Sequence, residues 1–385
     1  MIRVVFSFLM LAMVSGCGPG AIHFMREGGP VQDAPKIKSS IALEKRWRVD
    51  LGAGYSNHNF LLTPFVAIDA VFAAEPRGRV ASLDLQTGKI IWEHDLEEPL
   101  SAGVGVGEGL AVVTTRDGEA VAFETTGGET RWRQKMGVEI LARPVISSGR
   151  VILRSGDGQV IGVDSQSGEV LWRVRRSVPG LSVRGLSTPV EIDGVALIGF
   201  ASGRLSGIDI ASGRELWSVP IFRPRGSNEV DRLVDIDSDP YRLGNSLYVA
   251  GFQSKISALS LATQTIRWES QTSTIRPLGS VGGQILVTAD DGTWFALDSA
   301  SGEVSWSQTA LRNRGVSGPL GLEAMGLAVV GDYEGNLFVA DAKTGTLVGR
   351  EKGSGGAVLR LFPMPETGQF LTLSENGSLT AWSAR

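Results

Sequence analysis

From Leu43 onward the chain alternates apolar and small or polar positions in short runs, and the alternation returns in register along its length. Val80, Ala120, Val160, Leu205, Ile256, Trp294 and Leu337 each precede, by two residues, a small Ser82, Ala122, Gly162, Gly207, Ala258 or Ala296, with Val339 the one exception. A period of two is the signature of a β-strand. Two marks flank every such strand, always ten residues apart. The first is Gly78, Gly118, Gly158, Gly203, Ser254, Gly292 or Gly335; the second is Gly88, Gly128, Gly168, Gly213, Gln264, Gly302 or Gly345. Marks of this kind are expected where hairpin turns need positive φ. An Asp four residues before the second mark, at Asp84, Asp164, Asp209, Asp298 and Asp341, is placed to accept hydrogen bonds from the turn amides.

Four residues after the second mark stands Trp92, Trp132, Trp172, Trp217, Trp268 or Trp306, with Gly349 in the last copy. Each Trp closes the last strand of its unit and is expected to bury against the next unit, where its removal would cost about 3 to 5 kcal/mol. Trp47 lies in the same local setting without a turn of its own, while Asn376–Ser383 supplies a first mark and a strand before the chain stops. The last unit thus lacks a fourth strand and the first residues offer one. The pattern predicts an all-β fold, an eight-bladed β-propeller of four-stranded antiparallel blades over residues 41–385. An N-terminal strand completes the last blade and removes an open edge.

Composition agrees. Of 385 residues 50 are Gly, roughly twice ordinary usage, which disfavours helices. A net charge of −4 with no basic block removes the footprint of a nucleic-acid binder. The single cysteine, Cys17, excludes an internal disulfide. It follows Arg3, the apolar run Val4–Val14 and a Ser-Gly pair, the form of a secretory signal ending in a lipobox. The run is too short to span a bilayer. The reading is a signal peptide over 1–16, a lipidated Cys17, and a flexible tether to residue 40; Gly18 after the cysteine implies sorting to the outer membrane.

From each Trp position to the next first mark the chain takes 31, 26, 26, 31, 37, 24, 29 and 28 residues. The fourth and fifth intervals hold insertions at Val178–Pro189 and Phe222–Pro240. Both fall in the connection leading into a blade's innermost strand, so they emerge on one face from adjacent blades, a candidate docking surface. Leu181, Val183 and Arg184 on the first are residue types that anchor interfaces. They either pack the loop onto its blade or face a partner, and the adjacent insertion favours a partner. On the second, Asp235, Asp237 and Asp239 resemble the start of a calcium loop, but Pro240 replaces the turn glycine and Ser246 the terminal Glu. These carboxylates either cap turns and pair with Arg232 or Arg242, or stand exposed to a basic partner. His23, His58 and His94 read as surface residues. Gly103-Val104-Gly105-Val106-Gly107 misses the dinucleotide spacing and reads as a close-packed inner strand. No catalytic motif is present.

The D-x-x-x-G-x-x-x-W units at Asp84, Asp164, Asp209 and Asp298 resemble PQQ-type propeller repeats. Eight of them behind a lipobox resemble the BamB family, lipoproteins of the bacterial outer-membrane β-barrel assembly (BAM) complex. The resemblance implies a non-enzymatic scaffold without a cofactor, lipid-anchored in the outer membrane and facing the periplasm. It implies binding to the POTRA domains of BamA through Leu181, Val183, Arg184, Asp235 and Asp237, with Val183 a smaller contact than the Leu often found there. Unfolded outer-membrane protein clients, paired as an added strand on a blade edge, are a further implied partner. The rival on the same repeat is a PQQ-dependent dehydrogenase, whose adjacent cysteines this chain lacks. A propeller binding a ligand in its central funnel is a third reading, for which the sequence supplies no distinctive polar cluster.

Overall fold

In a computed structural model the protein is described over residues 32–385, except 53, 56–60, 177–186, 224–234, 237, 252–253 and 354. The described strands form eight antiparallel sheets of four. Blades 1 to 7 take their strands in chain order from residues 65–95, 100–135, 145–175, 190–220, 241–270, 279–308 and 320–352. The first strand of each blade is innermost: Val145–Ser147 touches Leu100–Gly107, and Leu320–Leu322 touches both Gly279–Val281 and Val358–Pro363. Second and third strands are almost wholly buried, whereas outermost strands alternate between buried and exposed positions.

Both predicted turns are present. Every Gly of the two marks has φ between 69° and 129°, and Gln264, in the degenerate copy, has φ 53°. The Asp caps form as well: Asp84, Asp209 and Asp341 accept from the backbone N–H and hydroxyl of Thr87, Ser212 and Thr344. Asp164 and Asp298 accept likewise from Ser167 and Ser301.

The tryptophans explain why the repeat is spaced as it is. Each outer-strand indole lies over the second-mark turn of the following blade, where a Cβ on Gly88, Gly128, Gly168, Gly213, Gly302 or Gly345 would come within 2.5–2.8 Å of the ring. The indole N–H donates to the carbonyl three residues before that Gly: Trp47 to Leu85, Trp92 to Thr125, Trp132 to Ser165, Trp172 to Ile210, Trp268 to Ser299 and Trp306 to Ala342, at 2.8–3.1 Å. Within its own blade the ring sits opposite the small third-strand residue, as in Ser82↔Trp92 and Gly162↔Trp172. Trp217 is the variant. The carbonyl it would reach, Leu261 O, accepts instead from the side-chain amide of Gln264 at 2.9 Å, and Trp217 is only half-buried.

Strand Leu43–Asp50 pairs with Ser378–Ala384 and completes blade 8, whose order is Leu43–Asp50, Ser378–Ala384, Gln369–Ser374, Val358–Pro363. Trp47 and Trp382 therefore share a sheet, as expected. The chain ends occupy the place of blade 8's second-mark turn, so blade 7 has no turn to receive a Trp. Gly349 stands there instead. Ile41 O passes 2.7 Å from where its Cβ would be, and Val339, paired with Gly349, is free to be large.

Part of the segment expected as tether, residues 32–40, contacts the propeller. Arg314 donates to Gln32 O, Ala34 and Ile37 pack against the apolar cluster of blades 6 and 7, and Ser40 and Ile41 donate to Val348 O. Residues 32–40 lie along the propeller because Gly349 leaves them a path. The signal, Cys17 and the first part of the tether lie outside the described residues. His94 also departs from expectation: it stacks on Phe123 of the next blade with ring centroids 5.1 Å apart. The Gly103–Gly107 run is the expected close-packed inner strand, Gly105 having no room for a Cβ against Pro144 O.

Candidate docking surface

Both insertions join the outermost strand of one blade to the innermost strand of the next, blades 3 to 4 and 4 to 5, and so reach the same face of the ring. Their described roots are fastened to each other. The backbone N–H of Thr188, at the end of the first, donates to Asp239 Oδ1 at 2.6 Å. Arg154 of blade 3 donates to Ser187 O at 2.7 Å and stacks over Phe200. At the second root, Ile221, Phe222 and Ile236 enter the core between blades 4 and 5. Gly199 and Gly251 make room for them: a Cβ on either would lie within 2.3 Å of Ile236 or of Asp235 O.

Leu181, Val183, Arg184 and Asp237 lie outside the described residues. Asp235 does not stand on the surface as expected; it is 3% exposed, because Ile236 draws the segment down between the blades. Of the two arginines offered to this acidic run, Arg232 lies outside the described residues and Arg242 is turned elsewhere. Arg242 donates to Gly244 O, and Asp239 pairs with Arg360 of blade 8 at 3.4 Å.

That last pair is what sequence reasoning missed. Arg360 comes from an innermost strand on another part of the ring, at a β-bulge between Val358 and Arg360 that redirects the side chain. Arg143, at the entry to blade 3, joins them. Withdrawal from water lowers its pKa, Asp239 opposes this, and Arg360 adds to it. Two guanidinium groups and one carboxylate thus meet around the central channel. No sequence spacing signals this, since 96 and 121 residues separate Asp239 from Arg143 and Arg360.

The outermost strands Val170–Arg175 and Glu215–Pro220 pair on one side only, and carry Leu171 and Leu216 at 43% and 44% exposure.

A family model described as outer membrane protein assembly factor BamB matches residues 76–308. The outer membrane protein assembly factor BamB of Pseudomonas aeruginosa is 36% identical over 377 residues, 98% of this chain and 97% of the relative. The chain belongs to the BamB family. The crystal structure of BamB from Moraxella catarrhalis has the same fold, with a TM-score of 0.80 and 26% identity over 89% of this chain and all of that one. A quinohemoprotein alcohol dehydrogenase from Pseudomonas putida HK5 matches at a TM-score of 0.70 with 12% identity, over 89% of this chain and 76% of that one. That likeness is of fold alone. Among the described residues no three His, Cys, Asp or Glu side chains are grouped to hold a metal.

Proposed function

We propose that the chain is a non-enzymatic scaffold of the BAM complex. It is anchored in the outer membrane by a lipid on Cys17, faces the periplasm, and assists the folding and insertion of β-barrel proteins by holding the POTRA domains of BamA. The observation that carries this reading is the fastening of the two insertion roots through Thr188 and Asp239, which gives two adjacent loops one common base. A rigid base lowers the ordering cost of docking. Leu181, Val183 and Arg184 supply the apolar and cationic contacts, and Asp237 the acidic one; Asp235, being buried, supports the loop from below. Client strands use the blade edges beside Leu171 and Leu216.

The test is a pull-down from detergent-solubilised membranes with wild type and Arg184→Glu. Wild type should retain the barrel complex and the charge-reversed form should lose it. Equal retention removes this surface, and a cofactor absorbance band with alcohol oxidation favours the dehydrogenase reading instead.

A further inference from the structure

The channel contains a cavity of about 460 Å³ between the innermost strands of blades 5 to 8, within the usual range for small-ligand sites. Its wall is mainly apolar side chains and Gly or Pro backbone, including Leu243, Leu278, Leu320 and Leu361. Two charged groups line it. Glu323 is engaged, its carboxylate accepting from the Gly282 N–H at 3.0 and 3.2 Å, and it sits on a first-to-second-strand turn, at the face opposite the insertions. Arg360 is held loosely. It makes one 3.4 Å contact to Asp239 Oδ2, while Asp239 Oδ1 is already occupied by the shorter Thr188 bond. Arg143 stands on the same carboxylate's field, over the Phe65 ring at 5.9 Å. Among the described residues, two cations thus face one anion at this end of an apolar cavity.

We infer that the cavity binds a small monocarboxylate with an apolar body, its carboxylate on Arg360 and its body along Leu243, Leu278, Leu320 and Leu361. Guanidinium and carboxylate match as a two-point pair, which the single long contact to Asp239 leaves unfilled. The apolar wall adds affinity by excluding water from the body. A bare inorganic anion would gain nothing from that wall, and a neutral amphiphile nothing from Arg360. Arg143 contributes at longer range, and Asp239 competes with the ligand.

The probe is decanoate below its micellar concentration, titrated calorimetrically into the full chain, with decan-1-ol and acetate as partners lacking the charge or the body. Saturable 1:1 binding of decanoate is expected, with decanol at least about tenfold weaker, the ratio that a lost charge-assisted bond gives, and acetate at least about tenfold weaker for want of the buried apolar body. Arg360→Gln should weaken decanoate about tenfold and Arg143→Gln less, while Asp239→Asn should tighten it by removing the competing carboxylate. Circular dichroism confirms that each variant is folded, and the comparison of ligands on wild type needs no variant. Decanoate binding no tighter than decanol, or unchanged in Arg360→Gln, overturns the site.

Discussion

Replacing Trp132 with Ala removes an indole that is 7% exposed, lies over Gly168, and donates to Ser165 O at 2.9 Å. The ring bridges blades 2 and 3, so both lose packing and Ser165 O loses its partner. Large-to-small changes of this kind cost about 3 to 5 kcal/mol. Trp217→Ala is the matched comparison, the same residue in the same strand position. Its ring is half-buried, the turn it faces carries Gln264 instead of Gly, and the carbonyl it would reach is taken by the Gln264 amide. No blade-to-blade hydrogen bond is lost there, and less area is uncovered, so the cost should be about 1 to 2 kcal/mol. Trp132→Phe, which keeps a ring but removes the N–H, should lose at least the roughly 1 kcal/mol of one hydrogen bond. Urea unfolding at 25 °C followed by circular dichroism, with the far-ultraviolet signal reporting the sheets, reads the three midpoints. Trp132→Ala should fall furthest. Equal losses for Trp132→Ala and Trp217→Ala would refute the reasoning that docking on the neighbouring turn is what the Trp mark supplies.

Two further outcomes follow from the same contacts. Asp84, Asp209 and Asp341 are held below the ordinary 3.8 first by the hydroxyls of Thr87, Ser212 and Thr344, and Asp164 and Asp298 first by the backbone N–H of Ser167 and Ser301. A carboxyl whose folded pKa is depressed contributes stability above its unfolded value and loses it as pH falls through the folded one. The thermal midpoint should therefore keep the full contribution of these caps between pH 7 and 5 and begin to lose it near and below 3.8; a triple Asp84→Asn, Asp164→Asn, Asp298→Asn variant should show a shallower acid decline, measured by calorimetry across pH. Gly349→Trp, which restores the repeat's own consensus, should destabilise by about 1 to 3 kcal/mol, because Ile41 O and Val339 occupy the space. A neutral or higher urea midpoint would show that the segment through Ile41 does not fill the missing turn.

The repeat was legible because its causes are local. A positive-φ turn, an Asx cap and an indole at fixed offsets each leave a residue type in the chain, and the blade count follows from counting them. Even the exceptions carried information. Val339 and Gly349 break the pattern together because one ring is missing, a link visible only once the chain ends are seen to occupy the turn that the ring would cover. Other features had no local cause. Asp235 is buried because Gly199 and Gly251, in two different blades, leave a hollow for its neighbour Ile236 and for its own carbonyl. The path of residues 32–40 depends on Arg314, 282 positions from Gln32. The meeting of Arg143, Asp239 and Arg360 depends on ring closure, which brings the entries of blades 3 and 5 and the inner strand of blade 8 around one axis.

The proposed scaffold role requires the two fastened insertions to form one docking surface for the POTRA domains. Calorimetric titration of purified POTRA domains into the soluble propeller, as wild type, Arg184→Glu and the blade-edge variant Leu171→Glu, addresses it directly. Binding should weaken at least about tenfold in Arg184→Glu, as removal of an interface anchor does, and stay unchanged in Leu171→Glu. Undiminished affinity in Arg184→Glu, or a loss confined to Leu171→Glu, would contradict the account.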